Sequence, residues 1–534
     1  MTPYKTEKFA DALHRLGTLP PDAPLGVLDI GSNSVRLVGY SGSARTPLPI
    51  YNERAFCRLG EAVSASGRIE GEPYELAIQT FRRFRAIAER LGIGNLAAFA
   101  TAAVRDAENR AEFVAEAEAI LGHEIRVLSG KEEARFSADG VMLAMPGAQG
   151  IVADLGGGSL ELAQVKNNRV LKWATLPLGV LALRQYSGND RQVMADIVSR
   201  ALAGLDWLDE GRGLPLYVVG GTWRNLASVH IDATQYPLDV LHHYAVATDD
   251  MRRFADDIAD LSDDEALLVE ASSNNRRAAL PIAALVLNHL AAATDPGQII
   301  VSANAVREGV LYSILEKKFR RLDPLLLACE EMAERLCKSA LYGHELAAWT
   351  SKLFRRSAAD GLSGKSLERL RQAGCLISDL AWASHPSFRA QAVSQAVLTA
   401  PFSGIDHYGR VFLARALAHR HEVNEEWDDY GPLALSENDD RLARALGLSF
   451  RLAHSLSASL PGLLPHTRLR AGKKKLRLRI DPSQEALMGP IIQKRMTVLA
   501  NELGLEPIIK IEKVRERTGT LAVSEAENNL NFDQ

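Results

Sequence analysis

Two distant stretches of the 534-residue chain follow one template: Asp29-Ile-Gly-Ser-Asn-Ser-Val-Arg-Leu37 and Asp154-Leu-Gly-Gly-Gly-Ser-Leu-Glu-Leu162. Each reads Asp, apolar residue, Gly, two small or polar residues, Ser, apolar residue, charged residue, Leu. Apolar runs at 25–30 and 35–40 flank the first turn, and runs at 150–155 and 160–165 flank the second. Both therefore predict strand, tight loop, strand. A whole supersecondary unit written twice points to a duplicated α/β domain with two facing loops.

The rest of the chain fits around that repeat. A helix is expected over 72–91, with Leu76, Ile78, Phe81, Phe84, Ile87, Ala88 and Leu91 as its apolar stripe. Strands are expected at 97–100, 124–128 and 216–219, and a helix at 108–121. Beyond about Asp323 strand patterns give way to amphipathic helices as far as about Leu460. A strand at 475–480 and a helix at 491–503 follow, then a polar end from about Glu516 that is expected to fray. So long a chain exceeds one hydrophobic core. The expected parts are a first α/β domain at 1–135, a second at 136–322, a helical domain at 323–430 and a small α+β domain at 431–534.

Composition narrows the class without naming a partner. Hydrophobic residues make up 47% and charged residues 24%, ordinary for a folded soluble protein, and the net charge is only -4. Cys57, Cys329, Cys337 and Cys375 have no CxxC spacing, which argues against a disulfide framework or zinc site and for reduced thiols. The N-terminus, MTPYKTEKFADALHRLG, lacks the apolar core of a secretory signal. The apolar run at 278–293 is broken by Pro281, Asn288 and His289 and falls short of the roughly 20 residues of a membrane span. A cytoplasmic protein with no membrane partner is expected. The block RLRAGKKKLRLR at 468–479 suits either a solvated strand edge or a track for a long polyanion. No reading motif for specific nucleic acid accompanies it.

The loops carry the first chemistry. Gly31-Ser32-Asn33-Ser34 and Gly156-Gly157-Gly158-Ser159 leave backbone N–H groups free to form an anion-binding nest, with hydroxyl and amide donors beside them. One such loop alone reads as a hairpin turn; two, each preceded by Asp, favour phosphate. In a four-residue hairpin loop Leu155 faces Leu160 and Asp154 faces Glu161. Opposed acids about 4.5–5.5 Å apart at Cβ repel and call for a cation. Next to phosphate, Mg²⁺ suits such hard oxygen ligands. Asp29 by the same geometry faces Arg36 and is a further candidate ligand, in part neutralised. Ser129 and Glu132 fit a capping box at a helix start, which leaves Glu133, about 100° further round, free to face the cleft as a general base. As an isolated feature Glu133 better suits a solvated first-turn acid favoured by the helix dipole. Arg105, at the exit of the 97–100 strand, can grip a phosphate bidentately or pair with Asp106 or Glu108. Gly220-Gly221-Thr222 forms a third candidate phosphate turn.

Together DIGSNSVRLV, ATAAVRDA, VLSGKEEARF, DLGGGSLEL, VVGGTWRNLA and VSANAVREG, in this order, resemble the exopolyphosphatase and guanosine pentaphosphate phosphatase family of the actin-like ATPase superfamily. The resemblance spans roughly residues 23–315. It implies two RNase-H-like domains with the active site between them, followed by a helical HD-like domain and a small α+β domain. It implies Glu133 as catalytic base and Arg105 as phosphate-binding arginine. Asp154 and Glu161 match acids tied to catalysis and Mg²⁺, and Asn33, Ser34, Gly157, Gly158 and Ser159 fall in the phosphate loops. In the helical region, Leu376-Ile-Ser-Asp379 has Ser378 where an HD site would carry histidine, so a second metal centre with His344 or His385 is not expected. The expected reaction is Mg²⁺-assisted hydrolysis of the terminal phosphate of inorganic polyphosphate, by a homodimer. Alternatives are the same reaction on guanosine pentaphosphate, an actin-like sugar kinase, or a polyphosphate-binding protein without activity.

Overall fold

The computed structural model describes residues 24–41, 45–272, 274–354, 362, 364–421 and 430–514. The expectations for the N-terminus and for the polar end lie outside the described residues. Short apolar strands and a tight turn close the first hairpin, β1 (Leu25–Ile30) with β2 (Val35–Ser41), in the expected register with Asp29 opposite Arg36. Strands β3 (Leu48–Ala55), β4 (Asn95–Ala100) and β5 (Ile125–Val127) complete a sheet in the order β3-β2-β1-β4-β5. The hairpin strands and β3 are antiparallel, whereas β4 and β5 run parallel to β1.

The second sheet repeats the first. Strands β6 (Gly150–Leu155), β7 (Leu160–Lys166), β8 (Arg169–Leu176), β9 (Leu216–Val219), β10 (Ala245–Ala247) and β11 (Gln298–Val301) order as β10-β11-β9-β6-β7-β8. Without the edge strand β10, the order and directions match those of the first sheet. Asp154 lies opposite Glu161 and Leu155 opposite Leu160, the register read from the turn length. In these two sheets the sequence pattern misses β3, β8, β10 and β11. Two of them, β3 and β8, are half-exposed outer strands in which Asn52, Glu53, Arg54 and Lys172 break the apolar run.

Helices cover the sheets with their apolar faces. The helix Gly71–Arg90 buries Ala77, Ile78, Phe81, Phe84 and Ala88. Each of the two phenylalanines gains about 1.5–3 kcal/mol by leaving water. Leu76, expected on that stripe, stands at its edge and is 37% exposed. The segment Arg276–Thr294 has the length and apolarity of a membrane span, but its helix Leu280–Thr294 is the core helix of the second half, largely buried and packed in a cluster with Trp223 and Leu226. The helices Gly130–Ala144 and Val306–Ile314 cross in backbone contact. A methyl group at Gly140 would overlap the Ala305 carbonyl, and one at Gly309 the Phe136 carbonyl.

The chain divides into two compact units, Met1–Leu327 with Pro401–His407, and Ala328–Ala400 with Tyr408–Gln534. Both sheets lie in the first. The second holds helices that include Ala340–Thr350, Gly364–Leu376, Arg389–Thr399 and Glu437–Ser457. It ends in a small sheet of β12 (Thr467–Ala471), β13 (Lys475–Ile480) and β14 (Glu506–Ile511). The basic block forms the β12–β13 hairpin, where Arg468 faces Arg479 and Arg470 faces Arg477. All four cysteines are free thiols, and Cys57, Cys329 and Cys375 are buried.

Candidate active site

Each glycine loop is held from behind by the helix that follows its hairpin. In the first loop, Gly31 N–H closes the turn on the Ser34 carbonyl at 3.0 Å. The Ser32 and Asn33 carbonyls accept from Gly60 N–H at 2.7 Å and Arg58 N–H at 3.0 Å, at the head of the helix Leu59–Ser66. In the second, Gly156 N–H closes on the Ser159 carbonyl at 2.9 Å. There the Gly156 and Gly157 carbonyls accept from Val180 at 3.2 Å and Leu181 at 2.8 Å, the first residues of the helix Val180–Ser187. A trans peptide carries its N–H opposite its C=O. Carbonyls turned to the helices therefore turn the N–H groups of Asn33, Ser34, Gly157 and Gly158 away from them, as an anion nest requires. The loops also meet: a methyl group on Gly157 would sit 3.3 Å from Ser32 Cβ. Only Gly fits at Gly220, where φ is +100° and a Cβ would lie 2.6 Å from the Leu155 carbonyl oxygen.

Both loops line one cavity of about 170 Å³. Of the expected residues, it is lined by Asp29, Ser32, Ser34, Glu133, Asp154, the loop Gly156–Ser159, Glu161 and Gly221. Asn33 and Thr222 are not among its lining side chains, and Thr222 is buried in its helix. Arg105 does not line it either; its guanidinium holds Glu133 from behind and donates to the Leu128 carbonyl at 3.1 Å. The capping box at Ser129 and Glu132 is formed, and Glu133 is turned inward, 6% exposed. Burial pushes the Glu133 carboxyl up to about 7, against the opposing pull of Arg105 and with help from Asp154 and Asp29.

The two opposed acids differ in their partners. Asp154 accepts from the Ser137 hydroxyl, whereas Glu161 Oε1 is buried without a hydrogen-bond partner. Burial raises both, Glu161 well above the carboxylate range because Glu133 and Asp154 add to it. Asp29 does not rest on Arg36; its Oδ2 accepts from Arg307 Nη1 at 2.8 Å, while Arg36 donates to Asn52. Among the described residues no group of three or more His, Cys, Asp or Glu could hold a metal by itself. Mg²⁺ asks for less, one or two carboxylates with water and substrate phosphate, and the orphaned Glu161 oxygen beside Asp154 fits that demand.

The sequence reading missed the opposite wall of the cavity. Arg36, Arg54, Arg224, Arg276 and Arg307 all line it. Burial and mutual repulsion push Arg36 down to about 9 and Arg54, Arg224 and Arg276 to about 10. Arginine keeps its proton in a protein, so this wall of the cavity stays positively charged and suits an anion. Arg307 Nε is buried without an acceptor. A signal for three of them was present, because Arg36, Arg224 and Arg307 stand inside the motifs DIGSNSVRLV, VVGGTWRNLA and VSANAVREG.

Comparison with known proteins gives the family. The model of the Ppx/GppA phosphatase family matches residues 40–318, and that of the exopolyphosphatase C-terminal region matches 325–507. Exopolyphosphatase 1 of Mycobacterium tuberculosis is 35% identical over 190 residues, 35% of this chain and 54% of that protein. The chain thus spans about half the length of that relative. A guanosine-5'-triphosphate,3'-diphosphate pyrophosphatase of Pseudoalteromonas atlantica is 23% identical over 377 residues, 66% of this chain and 71% of that one. The crystal structure of an exopolyphosphatase from Cytophaga hutchinsonii shares the fold over 55% of this chain and 97% of its own, with a TM-score of 0.50 and 23% identity.

Proposed function

Because the chain belongs to the Ppx/GppA phosphatase family, we propose that it is an exopolyphosphatase that releases the terminal phosphate of inorganic polyphosphate. The observation that carries this reading is a single cavity with two nests of amides, five arginines and a buried carboxylate base. Phosphoryl transfer asks a protein for positioning and charge neutralisation more than for covalent chemistry. The nests and arginines hold the terminal phosphates. Glu133 orients a water and takes its proton as the water oxygen bonds to the end phosphorus. The P–O bond to the rest of the chain breaks, and the shortened polyphosphate leaves with the bonding electrons. Arg105 fixes the Glu133 carboxylate and limits its rise in pKa. Asp154 and Glu161 would hold Mg²⁺, which supplies charge neutralisation to the phosphates when bound. Asp29, taken up by Arg307, orients that arginine instead of a metal. Arg468, Arg470, Arg477 and Arg479, opposed on one face of the β12–β13 hairpin, form a basic surface that suits a polyanion.

A second reading, hydrolysis of guanosine pentaphosphate, has one observation in its favour: the relative with the pyrophosphatase name matches 66% of this chain, the exopolyphosphatase only 35%. The deciding experiment compares kcat/KM for phosphate release from long-chain polyphosphate and from guanosine pentaphosphate, with Mg²⁺ and with chelator. Polyphosphate is expected to be preferred and chelator to abolish release. Release from neither substrate overturns the assignment. Two copies are expected to pair, since Leu336, Leu341 and Phe388 of the second unit are about half exposed; a single-chain mass by light scattering refutes that.

A further inference from the structure

Val38 and Tyr40 of β2 pack in one apolar cluster with Val310 and Leu311 of the helix Val306–Ile314. Two polar contacts join the same elements. Arg307 Nη1 donates to Asp29 Oδ2 at 2.8 Å, and the Tyr40 hydroxyl donates to Glu308 Oε1 at 2.8 Å. Adjacent residues of one helix thus grip the β1–β2 hairpin near its turn and near its far end. Asp29 and Arg307 line the cavity. Tyr40 and Glu308 lie behind it, and the reaction above gives them no part.

Glu308 and Arg307 are a buried acid and a buried cation, 9% and 7% exposed, yet they do not close on each other. Arg307 Nε stands 3.7 Å from Glu308 Oε1, too far for a hydrogen bond, and is buried without a hydrogen-bond partner. Charge-assisted bonds from guanidinium to carboxylate ordinarily draw in to about 2.7–2.9 Å. This one stays open because the carboxylate is pinned at both oxygens. The Ala305 N–H, at the head of the helix, donates to Oε2 at 2.9 Å, and the Tyr40 hydroxyl holds Oε1. Burial opposes the charge on Glu308, but Arg307, the Ala305 N–H and the Tyr40 hydroxyl hold it below the usual carboxylate range, so it remains an anion. Burial, then the Glu308 charge, raises the Tyr40 phenol well above its ordinary range, so it remains a donor. With the Tyr40 anchor released, the carboxylate is free to turn about its Oε2 bond. A closure of about 0.9 Å then brings Oε1 and Arg307 Nε together.

We propose that Tyr40 is a positioning residue for phosphate binding: by tethering Glu308 it keeps that carboxylate off Arg307, whose guanidinium then stays on Asp29 at the cavity wall with its charge directed to the substrate. The inference rests on the reading that the arginine wall holds phosphate. Of the two acids that flank Arg307, Asp29 aims it and Glu308 is restrained from capturing it.

Tyr40→Phe removes one oxygen and leaves the ring to pack as before. A crystal structure of this variant is expected to show Arg307 Nε within about 3.0 Å of Glu308; a separation still at 3.7 Å overturns the proposal. Anion binding is read in the full chain carrying Glu133→Gln, by calorimetry with inorganic tripolyphosphate, so that the readout needs no hydrolysis. Tyr40→Phe is expected to weaken it about tenfold, the size of one hydrogen bond to a charged group. In the chain with Glu133 intact it is expected to raise KM and leave kcat little changed. Glu308→Gln removes the competing charge, so adding Tyr40→Phe to it is expected to change the affinity by less than about twofold. A full tenfold loss in that background, or an unchanged affinity in Tyr40→Phe alone, overturns the proposal. The expected pattern of affinities in a chain that releases no phosphate supports the proposal and overturns the hydrolase reading.

Discussion

Gly179 offers a way to move the second loop without touching it chemically. Its φ of -65° and ψ of 153° are open to any residue, so replacing it with alanine strains no backbone torsion. The added methyl group, however, would lie inside 3.0 Å of the Gly157 carbonyl carbon, the Gly158 carbonyl carbon and the Ser159 nitrogen. Ordinary van der Waals contact begins at 3.4 Å, so the loop must retreat by about 1 Å, a displacement worth about 10²-fold in rate at a catalytic centre. Overpacking should cost about 1–3 kcal/mol, of which about 0.4–1 kcal/mol is returned by the stiffer unfolded chain. The expected result for Gly179→Ala is a loss of about 10²-fold in kcat/KM with a modest loss of stability in urea. Gly60→Ala is its milder counterpart on the first loop, since the methyl group would lie 2.9 Å from Ser32 Cβ; it should lose less. Gly94→Ala, with nothing within 4 Å of its methyl group, serves as the control. Phosphate release by a colorimetric assay gives the rates. A folded Gly179→Ala protein with the kcat/KM of the control refutes the claim that the loop amides hold the reacting phosphate.

Glu133→Gln should lower kcat by about 10²–10⁴-fold, the range for losing a general base, with KM little changed; steady-state kinetics check it. Because Glu133 must be ionised to act and its pKa is about 7, kcat/KM should fall as pH drops through about 7. Arg105→Gln removes the partner that pulls this pKa down, so a pH–rate profile should show the acid limb moved upward. The stability sign is opposite to that of an ordinary paired carboxylate. The native state takes up this proton more readily than the unfolded chain, so ionising Glu133 costs stability as pH rises from about 4.5 towards 7, and Glu133→Gln should flatten the pH dependence of the urea midpoint in that window. Gly309→Ala, which would drive a methyl group into the Phe136 carbonyl, should destabilise the first unit by about 3 kcal/mol or more, measured by denaturant unfolding.

The parts of the site that could be read from the sequence are those whose chemistry is local. A turn of fixed length between two apolar strands sets its own register, which is why Asp154 opposite Glu161 and Asp29 opposite Arg36 followed from spacing alone. The Ser129 capping box oriented Glu133 in the same way, within a single helical turn. The arginine wall was hidden because its members come from β2, β3, the head of the helix Gly221–Ala233, the turn before the core helix and the helix Val306–Ile314. No periodicity links such positions, and only packing brings them together. Asp29 was assigned to Arg36 on register, yet tertiary contact gave it Arg307. The ion pair of Arg420 with Asp379, 41 residues apart, is unreadable from the sequence for the same reason. The outer strands β3 and β8 escaped because an edge strand tolerates charge on both faces.

The crossing at Gly140 and Gly309 has a mechanical consequence. One helix brings Glu133 to the cavity and the other brings Arg307, and where they touch there is main chain against main chain with no side chain between to slide or tilt. Such a joint works as a rivet and not as a bearing. The proton acceptor and the buried guanidinium therefore travel together, and a motion that admits or expels a phosphate must bend the protein on the far side of the loops from that rivet.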